Sequence, residues 1–495
     1  MAPAAAAERD GDHFTYCVGS PTWHPARYAA DHAAQARAAA RLEKDDLYGA
    51  IAESFHLRPL PPPQQRSART GKTGDTFVYH AIISLTLAQA QQAVALGDGG
   101  PGEYLHAWYR DPEPAPSSGD EEPQPIPHRN PPGRPDIDAY LSIFDPTTAT
   151  PAALRSFAAN AKKDSVRRRV ADYLLSKRFL HPALLPGLEI PKVKVKAKKP
   201  KPNNPTSPSS TTTTNNDNNN NTDPQQQTAP SPPSYPPANP YLQFAAWASR
   251  NLEWAGPCDL SEEAPGAGHR GHPILPILMH HFGCACPSHE ALEILRVLAG
   301  GRPIVDAGSG NGYWTFMLRA YEAAAAAARS GGGGDVAIIP VDSKQSVWRT
   351  MWVRDTVEAD AAEWLAKTSS SRGEDKNKDA GDEEGIDDDR VLLVVYPIVG
   401  GGVAGGEEGG FTRGLLRAYR GDTLAVVGTQ NRNGYTGFLG RSMDEYMAAE
   451  EPAWTKVAQV PLPSFPGKDD AMFVFQRGRR AEALRRREGS GDGGE

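Results

Sequence analysis

Cysteine is scarce in this chain. Four residues, Cys17, Cys258, Cys284 and Cys286, in 495 make no disulfide framework, and a reducing intracellular compartment, cytoplasmic and/or nuclear, is expected. No run of about twenty apolar residues occurs, so no transmembrane helix and no membrane partner is expected. The first ten residues have no basic start followed by an apolar core, so no secretory signal is expected. Neither sign of charge is in large excess: the net charge is −7. Glycine (48) and proline (45) are abundant instead. They cluster, which implies ordered blocks separated by disordered ones. The length allows two or three domains.

The most informative stretch is Pro303-Ile-Val-Asp-Ala-Gly-Ser-Gly-Asn-Gly-Tyr-Trp314. It reads as a buried strand, an acid, three glycines on alternate positions and a helix start. Residues without a Cβ let the backbone turn tightly and approach a ligand. The helix that follows offers unpaired N–H groups at its N-terminus. Strand, glycine loop and helix in that order make a nucleotide-type binding loop.

Downstream, apolar strands alternate with helices. Val336–Asp342 is a buried strand ending in an acid, where a ribose diol can be held; an Asp capping the next helix is the plainer reading. Residues 352–365 read as a short strand, Asp360 and a helix. Residues 391–399 and 422–428 are two further strands, and 454–460 with 471–476 close the domain as an antiparallel hairpin. The loop Thr429–Phe438 is dense in hydrogen-bonding side chains at a strand's C-terminal edge, where open α/β sheets bind ligands. Gln430, Asn431, Asn433 and Tyr435 are therefore substrate-side candidates, although Asn and Gly also serve turns for backbone reasons alone.

The glycine loop, the acids after the second and third strands and the closing hairpin together resemble class I S-adenosylmethionine-dependent methyltransferases over residues 285–478. The resemblance implies an α/β fold with a doubly wound, mostly parallel sheet and an antiparallel terminal hairpin. It implies S-adenosylmethionine as cofactor, with Asp306, Gly308, Gly310 and Gly312 forming the first motif. Asp342 would then face the ribose and Asp360 the adenine amino group. Tyr396-Pro397 stands where amino-methylating members carry Asn/Asp-Pro-Pro-Tyr. The missing acid or amide removes the usual geometry for adenine or glutamine nitrogen and leaves Tyr396 as the nearest catalytic candidate. Two other readings stand beside an active enzyme: a non-catalytic binding or scaffold protein of the same fold, and a nicotinamide-dependent oxidoreductase, which the glycine spacing disfavours.

Outside that region, residues 1–190 read as a mainly helical module with a Pro-rich loop near 111–135. Helices are expected over 25–56, over 76–97 with a strand-like start, and over 136–182. Residues 191–237 read as a disordered low-complexity linker, 368–389 as an acidic disordered insertion, and 479–495 as a frayed tail. Residues 162–201 are rich in Lys and Arg. They suggest RNA or a nucleic-acid-associated protein as a partner, or only a solvated linker. His280, His281, Cys284, Cys286 and His289 lack the spacing of a structural zinc site; no metal is expected, and the segment reads as the mouth of the cofactor pocket.

Overall fold

The computed structural model describes residues 20, 23–57, 78–80, 84–86, 134–194, 235–251, 274–328, 336–343, 349–373, 388–397, 400, 406–431, 437–438, 440–464 and 469–491. Its centre is one sheet of eight strands: β1 (Phe179–Leu180), β2 (Ile304–Ala307), β3 (Ile338–Asp342), β4 (Val357–Glu358), β5 (Asp388–Val395), β6 (Gly421–Thr429), β7 (Thr455–Pro461) and β8 (Asp470–Gln476). The spatial order is β1-β7-β8-β6-β5-β2-β3-β4. The five strands β4-β3-β2-β5-β6 pair in parallel, and β8 pairs antiparallel with both β6 and β7. The chain builds outward from β2 through β3 to β4, then returns to the other side of β2 to build β5 and β6. The crevice between β2 and β5 is therefore a topological switch point.

Side chains alternate across each strand, so both faces must be covered. On one face Val391, Leu393, Ala425, Val427, Met472 and Val474 join one core. On the other, Leu392, Val394, Leu424, Val426, Phe473 and Phe475 join a second. These near-continuous apolar runs are what made the strands legible as buried.

The helices are α1 (Pro25–Ala30), α2 (His32–Leu42), α3 (Leu47–Phe55), α4 (Arg134–Leu141), α5 (Thr150–Ala159), α6 (Val166–Lys177), α7 (Leu185–Leu188), α8 (Pro240–Asn251), α9 (Leu275–His281), α10 (His289–Ala299), α11 (Tyr313–Ala328), α12 (Ala361–Gly373), α13 (Gly410–Ala418), α14 (Met443–Glu450) and α15 (Gly478–Gly491). The single helical stretch expected over 25–56 is cut into three. Asp31 and Asp46 cap α2 and α3, accepting from the N–H of Ala34 and Gly49 at 2.8 Å, and an N-cap side chain restarts a helix wherever it stands. α10 begins and ends as its sequence indicates, with Ser288 accepting from Ala291 N–H and Gly300 at φ +58°.

Val78–His80 and Ser84–Thr86 pair as a short antiparallel ladder at the strand-like start of 76–97, and residues 87–97 lie outside the described residues. Three stretches differ from expectation. The helix expected to run to Leu180 stops at Lys177, and Phe179–Leu180 adds β1 to the edge of the sheet beside β7. The expected frayed tail is helical through Gly491, with Ala481 and Leu484 buried. The first residues of the expected acidic insertion, 368–373, belong to α12. Most of the 111–135 loop, of the 191–237 linker and of the rest of that insertion lies outside the described residues.

The N-terminal helices share a core with the sheet. Trp23, Tyr28 and Phe55 pack on Trp352, His281 and Phe282, with Trp23 edge-on to Trp352 at 5.3 Å and Phe55 stacked on His281 at 3.8 Å between ring centres. Trp352 is thus a core residue.

Candidate active site

The register places the glycine loop, Asp342 and Tyr396 at one edge. Ala307 of β2 pairs with Val341 of β3 and with Val394 of β5. Gly308, Asp342 and Tyr396 therefore leave neighbouring strands together, around the switch point. Ligands in open α/β sheets bind outside the strands' carboxyl ends at such a point.

All three loop glycines have positive φ: +73° at Gly308, +57° at Gly310 and +76° at Gly312. A Cβ on Gly312 would stand 2.3 Å from Val353 Cγ2, and one on Gly308 would stand 3.2 Å from Phe411 Cζ. Gly310 is more open, with Arg349 Nη1 at 3.7 Å from where its Cβ would stand. The loop is held by Gly308 N–H and Ser309 N–H, both donating to Val341 O, and by Trp352 N–H donating to Asn311 O at 2.9 Å. Gly310 N–H donates to Asp342 Oδ2 at 2.9 Å.

Asp306 is 1% exposed. Its Oδ2 accepts from Thr315 Oγ1 at 2.7 Å. Burial, with the neighbouring Asp342 charge adding to it, raises its pKa to about 6 against the pull of that hydrogen bond. Asp306 Oδ1, Ser309 Oγ and Asn311 Nδ2 are buried and meet no hydrogen-bond partner among the described residues. Native structures seldom leave such groups unpaired. One acceptor, one donor and a hydroxyl in one loop make a site that a polar ligand would complete.

The remaining candidates divide. Asp360 is exposed and its Oδ1 accepts from Glu363 N–H at 2.9 Å, capping α12. Gln430 is 2% exposed and committed at both ends of its amide, donating to Asp469 Oδ1 at 2.9 Å and accepting from Gln459 Nε2 at 3.0 Å. It holds β6, β7 and the start of β8 together. Asn431 is buried beside it. Asn433 and Tyr435 lie outside the described residues. Tyr396 donates to Asp470 Oδ1. Burial first, then the Asp470 carboxylate, push its pKa far above the usual phenol range, so the phenol stays protonated near neutrality.

Five residues at this edge went unread in the sequence: Arg349, Phe411, Thr412, Asp469 and Asp470. Phe411 and Thr412 open α13, whose first turn lies against Gly308 and Gly437. The Asp469-Asp470 pair carried one visible signal, two adjacent acids immediately before an apolar strand. Its burial, 0% and 1% exposed, depends on contacts from elsewhere in the chain.

The segment with three histidines and two cysteines is beside the crevice, with a Cβ on Gly283 lying 3.3 Å from Asn311 Oδ1. His281 is buried against Phe55, with Nδ1 2.8 Å from Thr350 Oγ1; burial holds its pKa well below the usual range. In the basic stretch, Arg167 pairs with Asp136, Arg168 with Asp172 and Arg178 with Glu290. Those cations are spent within the fold, and Lys196, Lys198, Lys199 and Lys201 lie outside the described residues. A separate cleft of about 890 Å³ lies between α2, α4 and α8, lined by Leu42, Arg134, Trp247 and Tyr321, and it includes no residue of the glycine loop. Among the described residues no helix is long and apolar enough to cross a membrane.

No family model matches the chain, and no curated protein matches it.

Proposed function

We propose that this chain is an S-adenosylmethionine-dependent methyltransferase whose cofactor lies in the crevice between β2 and β5. The observation that supports it is the glycine loop at the switch point. Three positive-φ glycines follow a buried acid, and the unpaired polar atoms of Asp306, Ser309 and Asn311 line the same turn. The antiparallel β7-β8 hairpin fits the same resemblance.

When bound, the cofactor supplies an electrophilic methyl group. The chain's own residues supply position and exclusion of water. Gly308 and Gly310 give close backbone approach. Asp306 and Asn311 would take the polar amino-acid end, and Arg349 would supply a cation for its carboxylate. Asp342, already oriented by Gly310 N–H, would hold the ribose. Asp360 would face the adenine amino group from the exposed edge.

Isothermal titration of S-adenosylmethionine and S-adenosylhomocysteine into the full chain tests the reading. Micromolar binding is expected, weakened about ten- to hundredfold in Asp342→Ala through loss of a charged hydrogen-bond acceptor. A wild-type chain that gives neither heat nor a thermal shift with either ligand overturns it.

A further inference from the structure

The crevice has a second wall that none of the cofactor residues builds. Tyr396 leaves β5 at φ +52°, a left-handed backbone that a bulky residue adopts at a cost and that clusters at functional sites. Tyr396 is half-buried and donates its O–H to Asp470 Oδ1. Asp470 is fixed from behind. Its N–H donates to Ser464 Oγ at 2.9 Å, and Ser464 N–H donates to the Tyr140 hydroxyl of α4 at 3.1 Å. The adjacent Asp469 accepts from the Tyr173 hydroxyl of α6 at 2.5 Å. Helices of the N-terminal segment therefore complete this wall.

The same wall closes back on the glycine loop. Ala307 of β2 pairs with Val394 of β5, so Gly308 and Tyr396 leave adjacent strands side by side, and Tyr396 packs against the core that includes Tyr241. Tyr241 donates to Gly283 O at 3.0 Å, and Gly283 abuts Asn311. Tyr396 and the glycine loop thus face one crevice from two sides.

Resting on the methyltransferase reading of that crevice, we propose that Tyr396 contacts the methyl acceptor and passes the acceptor's proton to Asp470. The acceptor is then a hydrogen-bond donor, an O–H or N–H group, and not a carboxylate or phosphate. A phenol that donates to a carboxylate keeps acceptor capacity on its oxygen. A buried carboxylate behind it favours a proton-bearing partner and repels an anion. The phenol by itself holds its proton too tightly to serve as the base; the carboxylate is the proton's destination. As the acceptor's bond to carbon forms, its proton moves to the Tyr396 oxygen and the Tyr396 proton moves to Asp470 Oδ1. The electron pair of the broken carbon–sulfur bond stays on sulfur. The positive charge of the sulfonium and the negative charge of Asp470 disappear together.

Sinefungin, which carries an aminomethine in place of the methyl sulfonium, is the probe, because its amine occupies the position of the transferred group. In the full chain it is expected to bind about tenfold tighter than S-adenosylhomocysteine, through a charge-assisted contact to this pair. Tyr396→Phe and Asp470→Asn are each expected to bring the two affinities together while leaving that of S-adenosylhomocysteine unchanged. Equal affinities in the wild-type chain overturn the proposal. So does a preference for sinefungin that survives Tyr396→Phe, a variant that keeps the ring and its packing. A wild-type chain that binds neither ligand overturns the cofactor reading beneath it.

Discussion

Gly312 and Gly310 share a left-handed backbone but not a neighbourhood, and the difference is measurable. Alanine at Gly312 must place its Cβ against Val353 Cγ2 at 2.3 Å and also adopt φ +76°; the clash and the backbone strain together should cost about 2–4 kcal/mol. Alanine at Gly310 meets nothing closer than Arg349 at 3.7 Å and should cost only the backbone term, about 1–2 kcal/mol. Urea denaturation of the two variants checks the ranking. A second residue-scale effect concerns pH. Burial raises Asp469 to about 7, and its neighbour Asp470 adds to this against hydrogen bonds from Tyr173 and Gln430; Asp306 is raised to about 6. Both folded values exceed the unfolded carboxylate value of about 3.9. The fold therefore binds more protons than the unfolded chain between them. The stability these groups contribute is fully present below about pH 4 and is lost as pH rises through about 6 to 7. Asp469→Asn should flatten that decline, read from denaturation midpoints between about pH 4 and 7, the interval between the unfolded and folded values.

Among the elements, β1 and β4 are the shortest strands of the sheet, and β1 is anchored by more than its own ladder. β1 is two residues long and, among the described residues, pairs with β7 alone. Immediately before it Arg178 makes a bidentate ion pair with Glu290 of α10, at 2.8 and 2.6 Å, with the two side chains 9% and 4% exposed. Removing one partner leaves a buried charge uncompensated. Arg178→Met should therefore cost about 3–5 kcal/mol, and Arg178→Met/Glu290→Leu should recover much of it. A double-mutant cycle by chemical denaturation reads both. α15 is a parallel case: a segment whose Arg-rich composition reads as a tail is helical because Ala481 and Leu484 find the core.

Across the whole molecule, the N-terminal helices and the sheet do not divide where composition suggests a linker. Trp23, Tyr28 and Phe55 belong to the same core as Phe282, Tyr313 and Trp352. Tyr140 and Tyr173 reach the edge that carries Asp469 and Asp470. Two consequences follow. The full chain should unfold in one calorimetric transition with matching calorimetric and van't Hoff enthalpies. A fragment beginning at 238 should bind a hydrophobic dye more strongly than the full chain and lose thermal stability, because it uncovers that aromatic core. Two separate transitions, with the fragment as stable as the parent, would show instead that the shared core contributes little.

What the sequence determined by itself is local. The turn after β2 needs glycine at 308, 310 and 312 whatever surrounds it, because its backbone conformation demands them. The buried strands announce themselves as apolar runs, because side chains facing two covered layers must all be apolar. Ser288 and Gly300 mark the ends of α10 through hydrogen bonds within a few residues. What only the tertiary structure decided joins distant positions: Arg178 to Glu290 across 112 residues, and Tyr173 to Asp469 across 296. Gln430 shows the same limit from the other side. Its type suggested a ligand contact, and the fold turned both ends of its amide inward. No local pattern encodes such pairings, because whether a polar group faces a ligand or another strand depends on which strand the sheet brings beside it.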